Sequence, residues 1–201
     1  MTEYTFSKLT TGDYKEKTSS FHAVAQSASS VDMVKTKLLT IKAEYPDASH
    51  ICYAYRIKRG QQLDEYSSDA GEPRGSAGQP MLNVLKRENL INVAIFVVRN
   101  FGGIKLGIPG LIHAYGTAAE NAIKKVELKP WMKTKRLRIT YPYKLEGILN
   151  SILKKNKAKV IHEAFGEQIN IQLDIDIKLA NEFINSINEL SFGSAQIIIE
   201  D

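Results

Sequence analysis

The C-terminal third of the chain alternates between two periodicities, and this order constrains the fold more than any other feature. Apolar and polar residues alternate one by one in Ile169–Ile177, which is the period of a half-buried strand. Strand patterns cover residues 136–141, 160–165, 169–177 and 195–199, and helical stripes cover residues 145–153 and 179–190. The resulting order, βαββαβ, predicts a ferredoxin-like domain whose helices cover one face of the sheet and leave the other open.

The first two-thirds of the chain has the pattern of another α/β domain. Strand patterns cover residues 21–26, 51–57, 62–66 and 91–98, and helical stripes cover residues 31–45, 77–87 and 111–126. We interpret Lys129–Pro130 as the linker between the two patterned regions. The sequence therefore predicts an α+β protein of two domains, residues 1–130 and residues 131–201.

Two glycine-rich strings lie in the first domain, each directly before a predicted helix. They are SDAGEPRGSAGQP, from Ser68 to Pro80, and RNFGGIKLGIPGLIHAY, from Arg99 to Tyr115. Glycine permits positive φ and close backbone approach, and a helix start offers unpaired N–H groups at its positive end. The strings either form one anion-binding surface or only turn the chain and pack its helices. The candidate phosphate- or nucleic-acid-binding residues are Arg74, Gly75, Ser76, Gly78, Arg99, Gly102, Gly103, Lys105 and Gly107.

Three cationic residues of these strings, Arg74, Arg99 and Lys105, are expected to border one concave surface together with the glycine loops. We interpret Arg99 and Lys105 as surface residues that contribute little to the stability of the fold. Changing Arg99 and Lys105 to alanine is therefore expected to weaken binding and to leave the protein folded.

Residues suited to catalysis are few and scattered. Asp69 and Glu72 could hold a metal or activate water, although acids beside Arg74 are more often salt-bridged. Ser76 does not lie in a nucleophile elbow and is expected to cap the following helix. The histidines lack metal-ligand spacing, and P-loop and dinucleotide motifs are missing from the sequence. We therefore predict no catalytic residue, no metal and no cofactor.

Charge is distributed unevenly, although the net charge is only +5. Residues 129–159 hold ten basic residues and one acid, whereas residues 161–201 hold eight acids and one base. This asymmetry is typical of a protein that binds a polyanion, or of a domain whose two halves neutralise each other. In the ferredoxin-like topology, Arg136 and Arg138 would share the open sheet face with Asp174 and Asp176, which favours neutralisation for these arginines.

The composition is that of a globular protein, with 43% hydrophobic residues. The longest apolar run, residues 93–98, is far shorter than the roughly 20 residues of a membrane helix. The N-terminus lacks a secretory pattern, and the single Cys52 excludes an internal disulfide. We expect a cytoplasmic protein without a membrane partner, and the sequence leaves its oligomeric state open.

The two glycine strings resemble the pattern of the IMPACT family, called the YigZ family in bacteria. Its first part, D/S-D/A-G-E-P-x-G-T/S-A-G-x-P, is matched from Asp69 to Pro80, and its second part, R-Y-F/Y-G-G-I/V-K-L-G-x-G-G-L-V-R-A-Y, from Arg99 to Tyr115. The resemblance is dense from about residue 18 to residue 125. Asn100 replaces an aromatic residue, Pro109 a glycine and His113 a basic residue, and Pro109 removes one N–H donor from any anion site.

This resemblance implies a first domain like the second domain of ribosomal protein S-five and a second domain similar to one in elongation factor G. It also implies a link to translation, because eukaryotic relatives regulate translation during amino-acid starvation. Two classes of function remain open. One is a non-catalytic protein that binds RNA, the ribosome or a translation-associated protein, with a role in regulating translation. The other is an enzyme that acts on a phosphorylated small molecule held by the two glycine loops.

Overall fold

The computed structural model describes residues 2–60 and 62–200 and divides between Trp131 and Met132 into two compact units. The strands of the first unit are β1 (Tyr4–Thr5), β2 (Thr10–Glu16), β3 (Ser19–Ser27), β4 (His50–Arg59), β5 (Gln62–Ser68), β6 (Val93–Asn100) and β7 (Lys129–Pro130). Its helices are α1 (Val31–Glu44), α2 (Gly78–Arg87) and α3 (Gly107–Ile123). The predicted helices and the four predicted strands of this region all form, with small shifts at their ends.

The main sheet of the first unit has five antiparallel strands in the order β2-β3-β6-β4-β5. Residues of β6 point alternately to the two faces: Val93, Ile95 and Val97 pack with α2 and α3, whereas Phe96 and Val98 pack with α1. Burial on both faces explains why β6 has a continuous apolar run instead of an alternating pattern.

Two features of the first unit differ from the sequence-based prediction. Strand β2 was not predicted, because it carries Gly12 and has no run of large apolar residues. A Cβ at Gly12 would lie 2.2 Å from the backbone nitrogen of Ala122 in α3, so only glycine lets this helix approach the strand. The predicted linker Lys129–Pro130 is instead strand β7, which pairs with Tyr4 and Thr5 of β1.

The second unit has the predicted βαββαβ order. Its elements are β8 (Thr134–Tyr141), α4 (Glu146–Lys155), β9 (Lys159–Phe165), β10 (Ile169–Asp176), α5 (Ala180–Leu190) and β11 (Gln196–Glu200). The antiparallel sheet has the order β11-β8-β10-β9, which is the ferredoxin-like arrangement. Alternate residues of β8 and β10 face the two helices and form a separate core.

Acidic side chains on the open face of this sheet neutralise two of the arginines in the basic segment of residues 129–159. Arg136 donates two hydrogen bonds to Asp174, which lies directly opposite on β10 at 2.9 and 3.1 Å. Arg138 pairs with Glu200 rather than with Asp174 or Asp176, because β11 flanks β8 on its other side. The charge asymmetry of the sequence is thus offset in part within the second unit.

Candidate functional site

The first glycine string forms a loop, residues 69–77, that is organised around its own carboxylate. Asp69 accepts hydrogen bonds from the backbone N–H groups of Gly75, Ala77 and Gly78, at 2.7, 3.0 and 2.8 Å. Partial burial raises the pKa of Asp69, but these three bonds and the charge of Arg74 outweigh burial and hold the pKa below its ordinary value. The anion at the start of α2 is therefore supplied by the protein itself.

Ser76 does not cap α2, contrary to the sequence-based expectation. Its buried hydroxyl donates to the carbonyl of Pro73 at 2.6 Å, and Ala77 occupies the N-cap position. Gly75 adopts φ +74°, and a Cβ at Gly78 would lie 2.7 Å from the nitrogen of Ser68. Ser76, Gly75 and Gly78 thus set the backbone conformation of the loop. The side chain that accepts hydrogen bonds at the start of α2 is that of Asp69, which precedes the loop glycines in the sequence.

The second glycine string forms a loop, residues 101–106, that leads from β6 into α3. Gly102 packs against the turn between β2 and β3, where a Cβ would lie 1.9 Å from the carbonyl oxygen of Thr18. Leu106 at the N-cap position makes no side-chain bond to α3, and the described first turn of this helix holds no acid. The two helix starts therefore differ, because α2 has a carboxylate at its N-terminus and α3 does not.

A cavity of about 400 Å³, here called the Arg99 pocket, lies between the two loops. It is lined by Ser49, His50, Glu72, Pro73, Arg99, Phe101, Lys105, Leu106, Gly107, Ile108 and Leu111. Its volume falls within the range of small-ligand sites. Four of the sequence-predicted residues line it, namely Glu72, Arg99, Lys105 and Gly107. The other predicted residues are not among those that line it: Asp69, Arg74, Gly75, Ser76, Gly78, Gly102 and Gly103.

Glu72 and Arg99 form a buried ion pair at the inner end of the pocket. Arg99 Nη1 donates to Glu72 Oε1 at 2.6 Å, and the hydroxyl of Tyr115 donates to the same oxygen at 2.8 Å. The guanidinium lies over the rings of Phe21 and Phe101, at 5.5 and 5.3 Å from their centroids. The expectation that Arg99 is a surface cation is therefore wrong, since Arg99 is only 5% exposed and Glu72 neutralises it. Glu72 also pairs with Arg99 and not with Arg74.

His50 contributes a hydrogen-bond acceptor to the same pocket, and sequence reasoning did not select it. Its Nδ1 lies 3.0 Å from the carbonyl oxygen of Ala70, and a carbonyl only accepts, so Nδ1 carries the proton. In the neutral ring Nε2 is then an acceptor, and it lies 4.0 Å from Glu72 Oε1. The signal for His50 was its place within the family-like region from about residue 18 to residue 125.

Cys52 and Tyr115 lie beneath the pocket and are held in their protonated forms. The thiol of Cys52 donates to the carbonyl of Asp69 at 2.9 Å, and burial raises its pKa to about 12. Burial also raises the pKa of Tyr115, which donates to Glu72. Both groups are neutral hydrogen-bond donors at neutral pH, and the thiol is not activated as a nucleophile. Within residues 2–60 and 62–200, no group of three or more His, Cys, Asp and Glu side chains could hold a metal ion.

The three departures from the family-like pattern lie outside the pocket wall. Asn100 is exposed and donates to Ser20 at 3.5 Å, and His113 packs edge-on against Tyr14 at 5.5 Å. Pro109 lies in the first turn of α3 but is not among the residues that line the cavity. The wall formed by Glu72, Arg99 and Lys105 is thus present despite these replacements.

The two glycine loops and the buried pair of Glu72 and Arg99 lie within a segment that matches a known family of domains. Residues 17–123 match the Impact N-terminal domain, and the chain belongs to the IMPACT family. It is 30% identical over 180 residues to an IMPACT family member of Haemophilus influenzae, covering 88% of this chain and 86% of that protein. It is 29% identical over 185 residues to the IMPACT family member YigZ of Escherichia coli, covering 90% of each.

The whole chain is also similar to a solved structure. A crystal structure described as that of a hypothetical protein superposes with a TM-score of 0.67 at 26% identity, covering 100% of this chain and 98% of that one. The likeness therefore extends over both units. No helix within residues 2–60 and 62–200 has the length and apolar character needed to cross a membrane.

Proposed function

We propose that this protein is a non-catalytic binding protein of the translation apparatus, and that its ligand is RNA, free or within the ribosome. The observation that carries the proposal is the mouth of the Arg99 pocket, where exposed Lys105 and the exposed ring of Phe101 adjoin the uncapped start of α3. The family resemblance supplies the link to translation, because it implies that eukaryotic relatives regulate translation.

The chemistry of this mouth suits a nucleotide chain. Lys105 and the backbone N–H groups at the start of α3 would attract a phosphate. The ring of Phe101 is 46% exposed, and an exposed aromatic ring is a platform on which a base stacks. The buried charge of Arg99 is neutralised by Glu72, so the attraction for phosphate comes from Lys105 and the helix start.

A second candidate function is an enzyme that acts on a phosphorylated small molecule. The cavity volume of about 400 Å³ and the carboxylate of Glu72 on its wall favour this alternative. Glu72 Oε1 is held by Arg99 and Tyr115, and no donor in the described residues bonds Oε2. Turnover of a phosphorylated metabolite that is lost on changing Glu72 to glutamine would place the protein in this class.

The proposal is tested by fluorescence anisotropy with a labelled single-stranded RNA at several salt concentrations. Changing Lys105 to alanine removes one phosphate contact, so the log–log salt slope should fall by about 0.7. Phe101→Leu should weaken binding by about five- to 150-fold, the range for one lost stacking partner.

The matched control is Lys124→Ala, which removes an exposed lysine just after the opposite end of α3. This variant should bind RNA as the wild type does. An absence of RNA binding at low salt, or equal losses in Lys105→Ala and Lys124→Ala, would contradict the proposal.

A further inference from the structure

A second cavity, here called the α1 groove, lies on the far side of His50 from the Arg99 pocket. It has a volume of about 600 Å³ and is lined by Leu38, Lys42, Tyr45, Pro46, Ala48, Ser49, His50, Ile51, Tyr53, Ser68 and Ala70. Ser49 and His50 line both cavities. The two cavities are therefore neighbours that share one wall, formed by the residues at the start of β4.

The α1 groove has aromatic residues of the kind on which a nucleic acid base can stack. Tyr45 and Tyr53 both contribute aromatic surface, and Tyr45 packs against the ring of His22 at 5.7 Å between centroids. Tyr53 is held by Phe96 and Tyr66, at 6.0 and 5.8 Å. Rings held in this way can stack a base, because their position is fixed by packing before a ligand arrives.

Charge along both cavities favours an anionic ligand. Among the described residues that line them, Glu72 is the one acid, and Arg99 neutralises it. Lys42 lines the α1 groove and Lys105 lines the Arg99 pocket, so an exposed cation stands on each side of the shared wall. A nucleic acid strand that passes along both cavities would therefore meet a lysine in each of them.

His50, one of the two residues of the shared wall, can offer a hydrogen-bond acceptor to a ligand. In its neutral form, His50 presents Nε2 as an acceptor, because the carbonyl of Ala70 holds a proton on Nδ1. Glu72 stands beside it and adds carboxylate oxygens, of which Oε2 has no donor in the described part of the chain. A ribose 2′-hydroxyl can donate to such a pair, whereas deoxyribose has no group to offer there.

We propose that His50 of the shared wall, together with Glu72 beside it, is where this protein distinguishes RNA from DNA, with a single strand crossing from the Arg99 pocket to the α1 groove. The 2′-hydroxyl of one ribose donates to the acceptors of His50 and Glu72, and the neighbouring base stacks on Tyr45. This inference rests on the proposed function, namely that the ligand is RNA.

The test compares three labelled oligonucleotides of one sequence, namely RNA, DNA and 2′-O-methyl RNA, on the full chain. RNA should bind at least about tenfold more tightly than the other two, because one hydrogen bond to a charged group is lost with each of them. His50→Ala should reduce this preference for RNA, while circular dichroism checks that the variant is folded.

The path across the wall is tested with Lys42→Ala and Tyr45→Leu. Both should weaken RNA binding, and Lys42→Ala should also lower the log–log salt slope by about 0.7. The matched control is Lys37→Ala, on the same helix but not among the residues that line either cavity, which should leave affinity unchanged.

The outcomes separate this inference from the proposed function. Equal affinity for the three oligonucleotides would overturn the recognition of the 2′-hydroxyl by His50 and Glu72. It would not contradict the proposal that the protein binds RNA. Loss of affinity in Lys105→Ala without any loss in Lys42→Ala or Tyr45→Leu would overturn the path across the wall. A lack of binding to every oligonucleotide would overturn both proposals.

Discussion

At the scale of single residues, the pair of Glu72 and Arg99 connects the two glycine loops. Glu72 comes from the first loop, and Arg99 from the end of β6, directly before the second loop. Tyr115 of α3 adds a second hydrogen bond to the carboxylate oxygen of Glu72 that Arg99 contacts. Because both partners are buried, each depends on the other for charge compensation.

Arg99→Ala should therefore destabilise the protein by about 3–5 kcal/mol, since it leaves Glu72 as a buried charge without its partner. The free energy of unfolding, measured by urea denaturation, checks this expectation. Lys105→Ala serves as the control and should change stability by less than about 0.5 kcal/mol, because its side chain is exposed.

Combining Arg99→Met with Glu72→Leu should recover much of the stability lost in Arg99→Ala, because no buried charge is then left alone. If Arg99→Ala and Lys105→Ala had equally small effects, the ion pair would not have the structural role assigned to it.

Asp69 gives the fold a pH dependence of predictable sign. Its pKa in the folded protein lies below the ordinary value of about 3.9, so the ionised carboxylate stabilises the fold above that pH. Its contribution is lost as the pH falls below about 4 and passes through the lower pKa of the folded state. Asp69→Asn should cost about 1–3 kcal/mol at pH 7, because an amide nitrogen replaces one of the two accepting oxygens and leaves a backbone N–H group without its acceptor. The difference from wild type should shrink below pH 4 in urea titrations, and a difference independent of pH would contradict this role.

At the scale of elements, the contact between β2 and α3 depends on one missing side chain. In Gly12→Ala, the new Cβ would lie 2.2 Å from the nitrogen of Ala122 and 2.6 Å from the carbonyl carbon of Asn121, both of them backbone atoms. The helix must move, and we expect a loss of about 1–3 kcal/mol or more. Thermal unfolding measures the change.

The control for this substitution is Gly147→Ala in α4, where a Cβ would meet nothing within 4 Å. It should be neutral or stabilise the protein by roughly 0.5–1 kcal/mol, because alanine favours a helix over glycine. Similar losses in both variants would indicate that backbone conformation, rather than helix–strand contact, sets the cost at Gly12.

Elements with strong local periodicity could be predicted from the sequence, and those defined by distant contacts could not. Strand β10 alternates strictly, so its existence and inward face follow from the chain itself. Strand β2 was missed because its small residues are explained only by their contacts with α3. Thr10 donates to the carbonyl of Ala122 at 2.8 Å, and Gly12 adjoins the same residue. Nothing within ten residues of Gly12 reveals that contact.

The same limit applies to the candidate site. The sequence selected Glu72, Arg99 and Lys105 through the glycine strings, and the pocket brings these three together. It did not reveal that Arg99 is buried, because the charge of a residue does not show which acid faces it. It also did not select His50, whose role depends on a carbonyl twenty residues away, that of Ala70.

At the scale of the whole molecule, the two units have separate cores, and each should remain folded when the chain between them is cut. Strand β7 holds residues 129–130 against β1, so we expect trypsin to cut after Lys133, just before β8 begins. Mass spectrometry of a limited digest identifies the cut, and circular dichroism of the fragments shows whether they are folded. Cleavage only near the termini, or fragments without structure, would contradict independent folding.

The carboxylate of Asp69 at the start of α2 also bears on how fast a ligand can bind. The loop that carries Glu72 is already ordered by the hydrogen bonds that Asp69 accepts from the backbone. A ligand that reaches Glu72 and His50 therefore need not order this loop. Little binding free energy is then lost to loop ordering. Association of RNA should be limited by diffusional encounter with Lys42 and Lys105, the exposed lysines of the two cavities. The association rate constant should rise steeply as the ionic strength is lowered.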